Sequence, residues 1–107
     1  DGTGDYAYHT TLATVGTQDF TIDLQVRRNG ANTDNAILTW GDSGADTGLR
    51  ILSSTDNKLI VSTGNAAVIG TGDHSTSLPD GEFAHVEMVR SGNTLYLFQN
   101  GNLLVII

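Results

Sequence analysis

The stretch Thr94-Leu95-Tyr96-Leu97-Phe98-Gln99-Asn100-Gly101-Asn102-Leu103-Leu104-Val105-Ile106 reads as a β-hairpin, and it decides how the rest of the chain is read. Its two arms, Thr94 to Gln99 and Asn102 to Ile106, flank Asn100-Gly101. Both central residues of a type I′ turn need positive φ, which Asn and Gly tolerate best. Successive side chains of a strand point to opposite faces. Leu95 and Leu97 therefore share one face of the first arm, and Tyr96 and Phe98 share the other.

The same alternation continues upstream. Phe20, Ile22, Leu24 and Val26 fall on one face, and Thr21, Asp23, Gln25 and Arg27 on the other, which gives that strand a dry side and a wet side. Ile37 to Gly41, Leu49 to Ser53 and Lys58 to Thr63 read as further strands. Glu82 to Arg90 is another, but its parity breaks: Phe83 falls on one face, Val86 and Met88 on the opposite one. A bulge near His85, or burial of both faces, accounts for such a break. Turn signals separate these runs at Asn29-Gly30, Asp34-Asn35, Gly41 to Gly48, Asp56-Asn57, Gly64-Asn65, Gly70 to Gly72, Pro79-Asp80-Gly81 and Ser91-Gly92-Asn93. No segment keeps a helical period over ten residues. Gly-Thr-Gly-Asp occurs at Gly2 to Asp5 and again at Gly70 to Asp73, too far apart for a tandem repeat. Short strands at even spacing predict an all-β sandwich or barrel.

Composition narrows the function classes. The 107 residues suit one domain, and 38% hydrophobic residues supply one core. The net charge is −7, with five scattered Lys and Arg residues. Nucleic-acid binding needs clustered positive charge to displace counterions, so no nucleic-acid partner is expected. An anionic membrane surface is disfavoured for the same reason. No membrane insertion is expected either, because the longest apolar run, Leu103 to Ile107, is far too short to span a bilayer. Cysteine is absent, which excludes disulfides and thiolate metal sites and favours a bacterial or viral source over a small extracellular animal domain. The sequence shows no signal-peptide pattern. It opens at Asp1 without Met and closes inside an apolar run, and so reads as a piece of a longer chain.

Five segments in order resemble the concanavalin A-like lectin/glucanase superfamily, and within it the laminin G-like domains of bacterial and phage proteins. Asp1-Gly2-Thr3-Gly4-Asp5-Tyr6 is similar to the opening strand. Asp19-Phe20-Thr21-Ile22-Asp23-Leu24-Gln25-Val26 is similar to the family's next strand, and Ile37-Leu38-Thr39-Trp40-Gly41-Asp42 to the strand and loop after it. Leu78-Pro79-Asp80-Gly81-Glu82-Phe83-Ala84-His85-Val86 through Val89-Arg90-Ser91-Gly92 resembles the family's turn and strand that follow, with Phe83 and Ala84 where the family has Trp and His. Leu95 to Gly101 resembles the last hairpin. The resemblance implies one domain over residues 1–107, an antiparallel jelly-roll-like β-sandwich. Family members continue past this hairpin with closing strands, so it also implies that those strands come from a neighbouring chain or lie beyond this one.

Catalytic readings fare poorly. Gly41-Asp42-Ser43-Gly44 matches the nucleophile loop of chymotrypsin-like proteases, but Ala45-Asp46 follows it, and His9, His74 and His85 sit in no triad context. Glucanases need paired carboxylates on one strand, and the only glutamates, Glu82 and Glu87, do not form the alternating pattern. No enzyme is expected. Calcium is the candidate cofactor: Asp42 and Asp46 share a Gly-rich loop, Asp73 or Asp5 can join them, and oxygen-rich loops hold that ion. The simpler alternative is solvated turn carboxylates. Trp40 is a candidate sugar-stacking residue, although its apolar strand favours core packing. If Leu95 and Leu97 face the core, Tyr96 and Phe98 stand outside as a candidate ligand-binding pair, or as a surface covered by another subunit. The expected function is a non-catalytic recognition or assembly module at a virion surface or outside the cell: a phage tail, fibre or capsid-decoration protein that binds glycans or neighbouring subunits, homo-oligomeric contacts included. The alternative is a carbohydrate-binding module of a secreted bacterial enzyme or adhesin.

Overall fold

The computed structural model describes residues 18–29, 35–40, 49–53, 56–63 and 77–107. Every regular element among them is a strand: β1 (Phe20–Arg27), β2 (Asn35–Trp40), β3 (Leu49–Ser53), β4 (Leu59–Thr63), β5 (Phe83–Ser91), β6 (Thr94–Gln99) and β7 (Asn102–Ile106). They form two antiparallel sheets, a four-stranded one in the order β1-β5-β6-β7 and a three-stranded one in the order β2-β3-β4. The chain leaves the first sheet after β1, builds the second from consecutive strands, and returns at β5. This is the predicted sandwich.

The core lies between the sheets. Ile22, Ala84, Val86, Met88 and Leu97 come from the larger sheet, Ile51, Leu59 and Val61 from the smaller, and Leu78 from the segment that leads into β5; all are buried in one cluster. Each large aliphatic side chain taken out of water contributes about 1.5–3 kcal/mol before entropy is counted. The inward rows cross the larger sheet strand by strand. Ile22, Met88, Leu97 and Val105 make one row, and Leu24, Val86 and Gln99 the next. Leu78 is held by its N–H, which donates to the Asn57 carbonyl at 2.7 Å, and Gly81 N–H donates to the Arg28 carbonyl at 2.9 Å. These bonds fix the approach to β5 against both sheets.

The parity break in β5 has a simpler cause than a bulge or two buried faces. The β1–β5 register runs unbroken from Phe20 opposite Arg90 to Arg27 opposite Phe83. Ala84, Val86 and Met88 point inward, and Phe83 points outward at 66% exposure. Its ring lies against the Arg27 guanidinium, whose central carbon is 5.9 Å from the ring centroid. A cation over an aromatic face is attracted by the ring quadrupole, and this contact accounts for an apolar residue at a wet position. Bulges occur elsewhere. One in β2 falls between Ala36 and Leu38, and it lets both Ile37 and Leu38 pack on the core. The other lies in β7, where Leu97 pairs with Val105 and Phe98 with Leu103, leaving Leu104 as the extra residue. Asn35, which sequence assigns to a turn, is instead the first residue of β2.

The last turn has the expected form. Asn100 has φ 51° and Gly101 φ 78°, the paired positive values of type I′. In the β5–β6 turn only Gly92 is positive, at 61°, the pattern of type II′ with Gly first.

Met88→Ala removes a fully buried side chain and is expected to cost about 2–5 kcal/mol. Phe83→Ala is expected to cost under about 1 kcal/mol, the scale of an exposed cation–π contact. Urea denaturation of the two variants checks the assignment, and equal losses would refute the inward and outward facing of β5.

Candidate functional site

The outer face of the four-stranded sheet gathers the sequence-predicted aromatic pair. Leu97 is fully buried and Leu95 packs on the core, so Tyr96 and Phe98 turn outward, both half-buried. Cross-strand register builds two outward rows around them. Thr21, Val89, Tyr96 and Ile106 form one, and Asp23, Glu87, Phe98 and Leu103 the other. Gln25 and His85 begin a third, and Arg27 with Phe83 closes the face at its far end.

The face is divided. Its β1–β5 half is mostly polar, with Thr21, Asp23, Gln25, Arg27, His85 and Glu87 around two apolar residues, Val89 and the exposed Phe83. Its β6–β7 half is apolar, with Tyr96, Phe98, Leu103 and Ile106; Leu103 is 49% and Ile106 58% exposed. Sequence reading missed these two because residues 103–107 are all apolar and show no alternation. Only the bulge at Leu104 sets their facing: it turns Leu104 and Val105 toward the core and Leu103 and Ile106 away from it.

In the polar half, His85 Nε2 and Asp23 Oδ1 are 2.8 Å apart across the β1–β5 pair. The Asp23 side chain is 63% exposed, so the pair is well solvated and of small energetic weight. Asp23 also stands directly opposite Glu87. Like charges at that position in a sheet repel. The His85 backbone meets the turn of the last hairpin: its N–H donates to Asn100 Oδ1 at 2.9 Å, and Asn100 N–H donates to the His85 carbonyl at 2.8 Å.

Trp40 is not on this face. It lies in the smaller sheet, half-buried and packed on the core, where its apolar strand places it. Asp42, Asp46 and Asp73, the proposed calcium ligands, lie outside the described residues, as does Asp5. Among the described residues no three His, Asp or Glu side chains gather closely enough to hold a metal ion. No helix among them is long and apolar enough to cross a membrane.

A two-sheet antiparallel sandwich with strand segments in this order is consistent with a concanavalin A-like domain. A family model described as concanavalin A-like lectin/glucanases superfamily, of laminin G type, matches residues 1–104, and the chain belongs to this family. Neither the curated proteins nor the solved structures hold a significant match to it.

Glu87→Gln removes the like-charge pair with Asp23 while keeping the side chain's length. It is expected to stabilise the fold by a few tenths of a kcal/mol at low ionic strength, with the gain fading in high salt. Thermal melts at two salt concentrations measure this, and a destabilised variant would mean that Glu87 has an attractive role.

Proposed function

We propose that this domain is a non-catalytic recognition and assembly module of an extracellular or virion-surface structure, such as a phage tail, fibre or capsid-decoration protein. The observation that carries the proposal is the apolar half of the outer sheet face. Leu103 and Ile106 stand exposed beside the half-buried Tyr96 and Phe98. Contiguous apolar surface with a polar flank marks contact with another macromolecule more often than chance exposure does. The laminin G-like family membership agrees, because such domains commonly serve as binding modules.

The rows of this face supply what a protein neighbour uses. Aromatic and aliphatic side chains at the centre lose water on contact, while Asp23, Glu87 and His85 form a wet rim. The work is done by binding, and the domain carries no reaction of its own. Incubation with polysaccharides is expected to release no new reducing ends.

A second reading, glycan binding, rests on Tyr96 and Phe98 alone. Two aromatics two residues apart on one strand face are spaced to stack on sugar rings. A glycan array separates the readings. Silence on the array, together with co-sedimentation of the chain with intact particles or cell surfaces of its source, supports assembly. A glycan signal that Tyr96→Ala abolishes supports the second reading. A chain that stays soluble and binds neither would sink both.

A further inference from the structure

We propose that the partner of the apolar half-face is a second copy of this chain, joined by antiparallel pairing of β7 with β7. This inference rests on the assembly reading above and names the neighbour. Three observations converge on β7.

The first is the state of its backbone. Leu95 and Ile107 exchange both of their hydrogen bonds, at 2.9 and 2.8 Å. Hydrogen-bonded and non-hydrogen-bonded pairs alternate in an antiparallel ladder, so the N–H and C=O of Ile106 must point away from β6. Gln99 and Asn102 flank the type I′ turn as a hydrogen-bonded pair, so Leu103, opposite Phe98, must also direct its backbone groups outward. No strand lies beyond β7 among the described residues.

The second is the side chains. The same two residues, Leu103 and Ile106, are the exposed large hydrophobics of this strand. Backbone and side chain are therefore open at the same positions. A two-fold axis through the bulge at Leu104 sets Leu103 of one copy opposite Ile106 of the other, twice. Each pair can then exchange both backbone hydrogen bonds and bring its two aliphatic side chains together.

The third is charge. The chain carries a net charge of −7, yet Thr94 to Ile107 contains no Asp, Glu, Lys, Arg or His and no Pro. Two acidic molecules meet here without opposing like charges and without an imino residue that blocks pairing. Among the described strands the opposite edge differs: β1 carries Asp23 and Arg27 on its outer face, the kind of charge that guards an edge. Of the two edges, β7 is the one suited to another copy.

The five residues of β7 extend about 17 Å. That edge falls short of the about 800 Å² per partner of a standard interface. The pairing is therefore weak for two free molecules, and an array that holds many copies together strengthens it through effective concentration.

Sedimentation velocity of the chain over a dilution series from millimolar to micromolar tests the pairing. The expected result is a concentration-dependent dimer. The double variant Leu103→Lys/Ile106→Lys sets Lys against Lys across the two-fold and is expected to weaken association by more than about tenfold. Both positions are exposed, so the fold should survive, and far-UV circular dichroism verifies that. Ile106→Pro, which removes an outward N–H and none of the β6–β7 ladder hydrogen bonds, is expected to weaken it as well. Thr21→Lys, at the other edge, is expected to leave it unchanged. Amide exchange at Leu103 and Ile106 should slow as concentration rises. A chain that stays monomeric throughout, or a dimer that survives the double Lys variant, would overturn the proposal. A monomer that still co-sediments with particles overturns the pairing and spares the assembly role; a dimer that never associates with any particle or surface does the reverse.

Discussion

Asn100 and the backbone of His85 exchange two hydrogen bonds, one through the Asn side chain and one through its N–H. They tie the turn of the last hairpin to the central strand one position beyond the end of the regular ladder. Register in this sheet depends on such ties, because side chains alternate with a period of two. A slip of one residue between β5 and β6 would exchange every inward residue for an outward neighbour. Met88 and Val86 would meet water, and Glu87 and His85 would enter the core. Asn at this position also accepts the positive φ that the turn demands, so one residue serves both the turn and the register.

With register fixed, the two faces of the larger sheet acquire different duties. The inner face is largely aliphatic, with Gln99 its buried polar member, and it is matched by Ile51, Leu59 and Val61 across the sandwich. The outer face splits along β5. Charged and polar groups cluster where β1 and β5 pair, with Val89 and Phe83 among them, and aromatic and aliphatic groups where β6 and β7 pair. Ser62, on the face of the smaller sheet turned away from the core, is fully buried, whereas the larger sheet keeps Phe83, Leu103 and Ile106 in solvent. Among the described residues, the exposed large hydrophobics all lie on the outer face of the larger sheet.

Much of this was legible in the sequence. The alternation of Phe20 to Arg27 and the Asn100-Gly101 signal located two strand systems correctly, because period-two burial and left-handed turn residues are local properties. The outward facing of Tyr96 and Phe98 followed from the same parity rule once Leu97 proved to be core. Phe83 was harder. Its exposure depends on Arg27, a neighbour 56 positions earlier in the chain that no local pattern reveals. The bulge at Leu104 left no trace at all, since a run of five apolar residues looks the same in either phase. The carboxylate loops with Asp42, Asp46 and Asp73 stand outside the described residues. There the sequence states only that turn-favouring acids are present.

The contrast between the edges of the larger sheet bears on how far an assembly could grow. If both edges were neutral, β1 of one copy could accept β7 of the next, and the same contact would repeat without end. Such head-to-tail contacts make filaments, whereas a contact of one edge with its own copy is closed by symmetry. Asp23 and Arg27 at the outer face of β1 penalise the first mode and leave the second open. On the proposed pairing, the charges of Asp23 and Arg27 therefore favour a closed pair of copies over an open filament, and a larger array would draw on another surface.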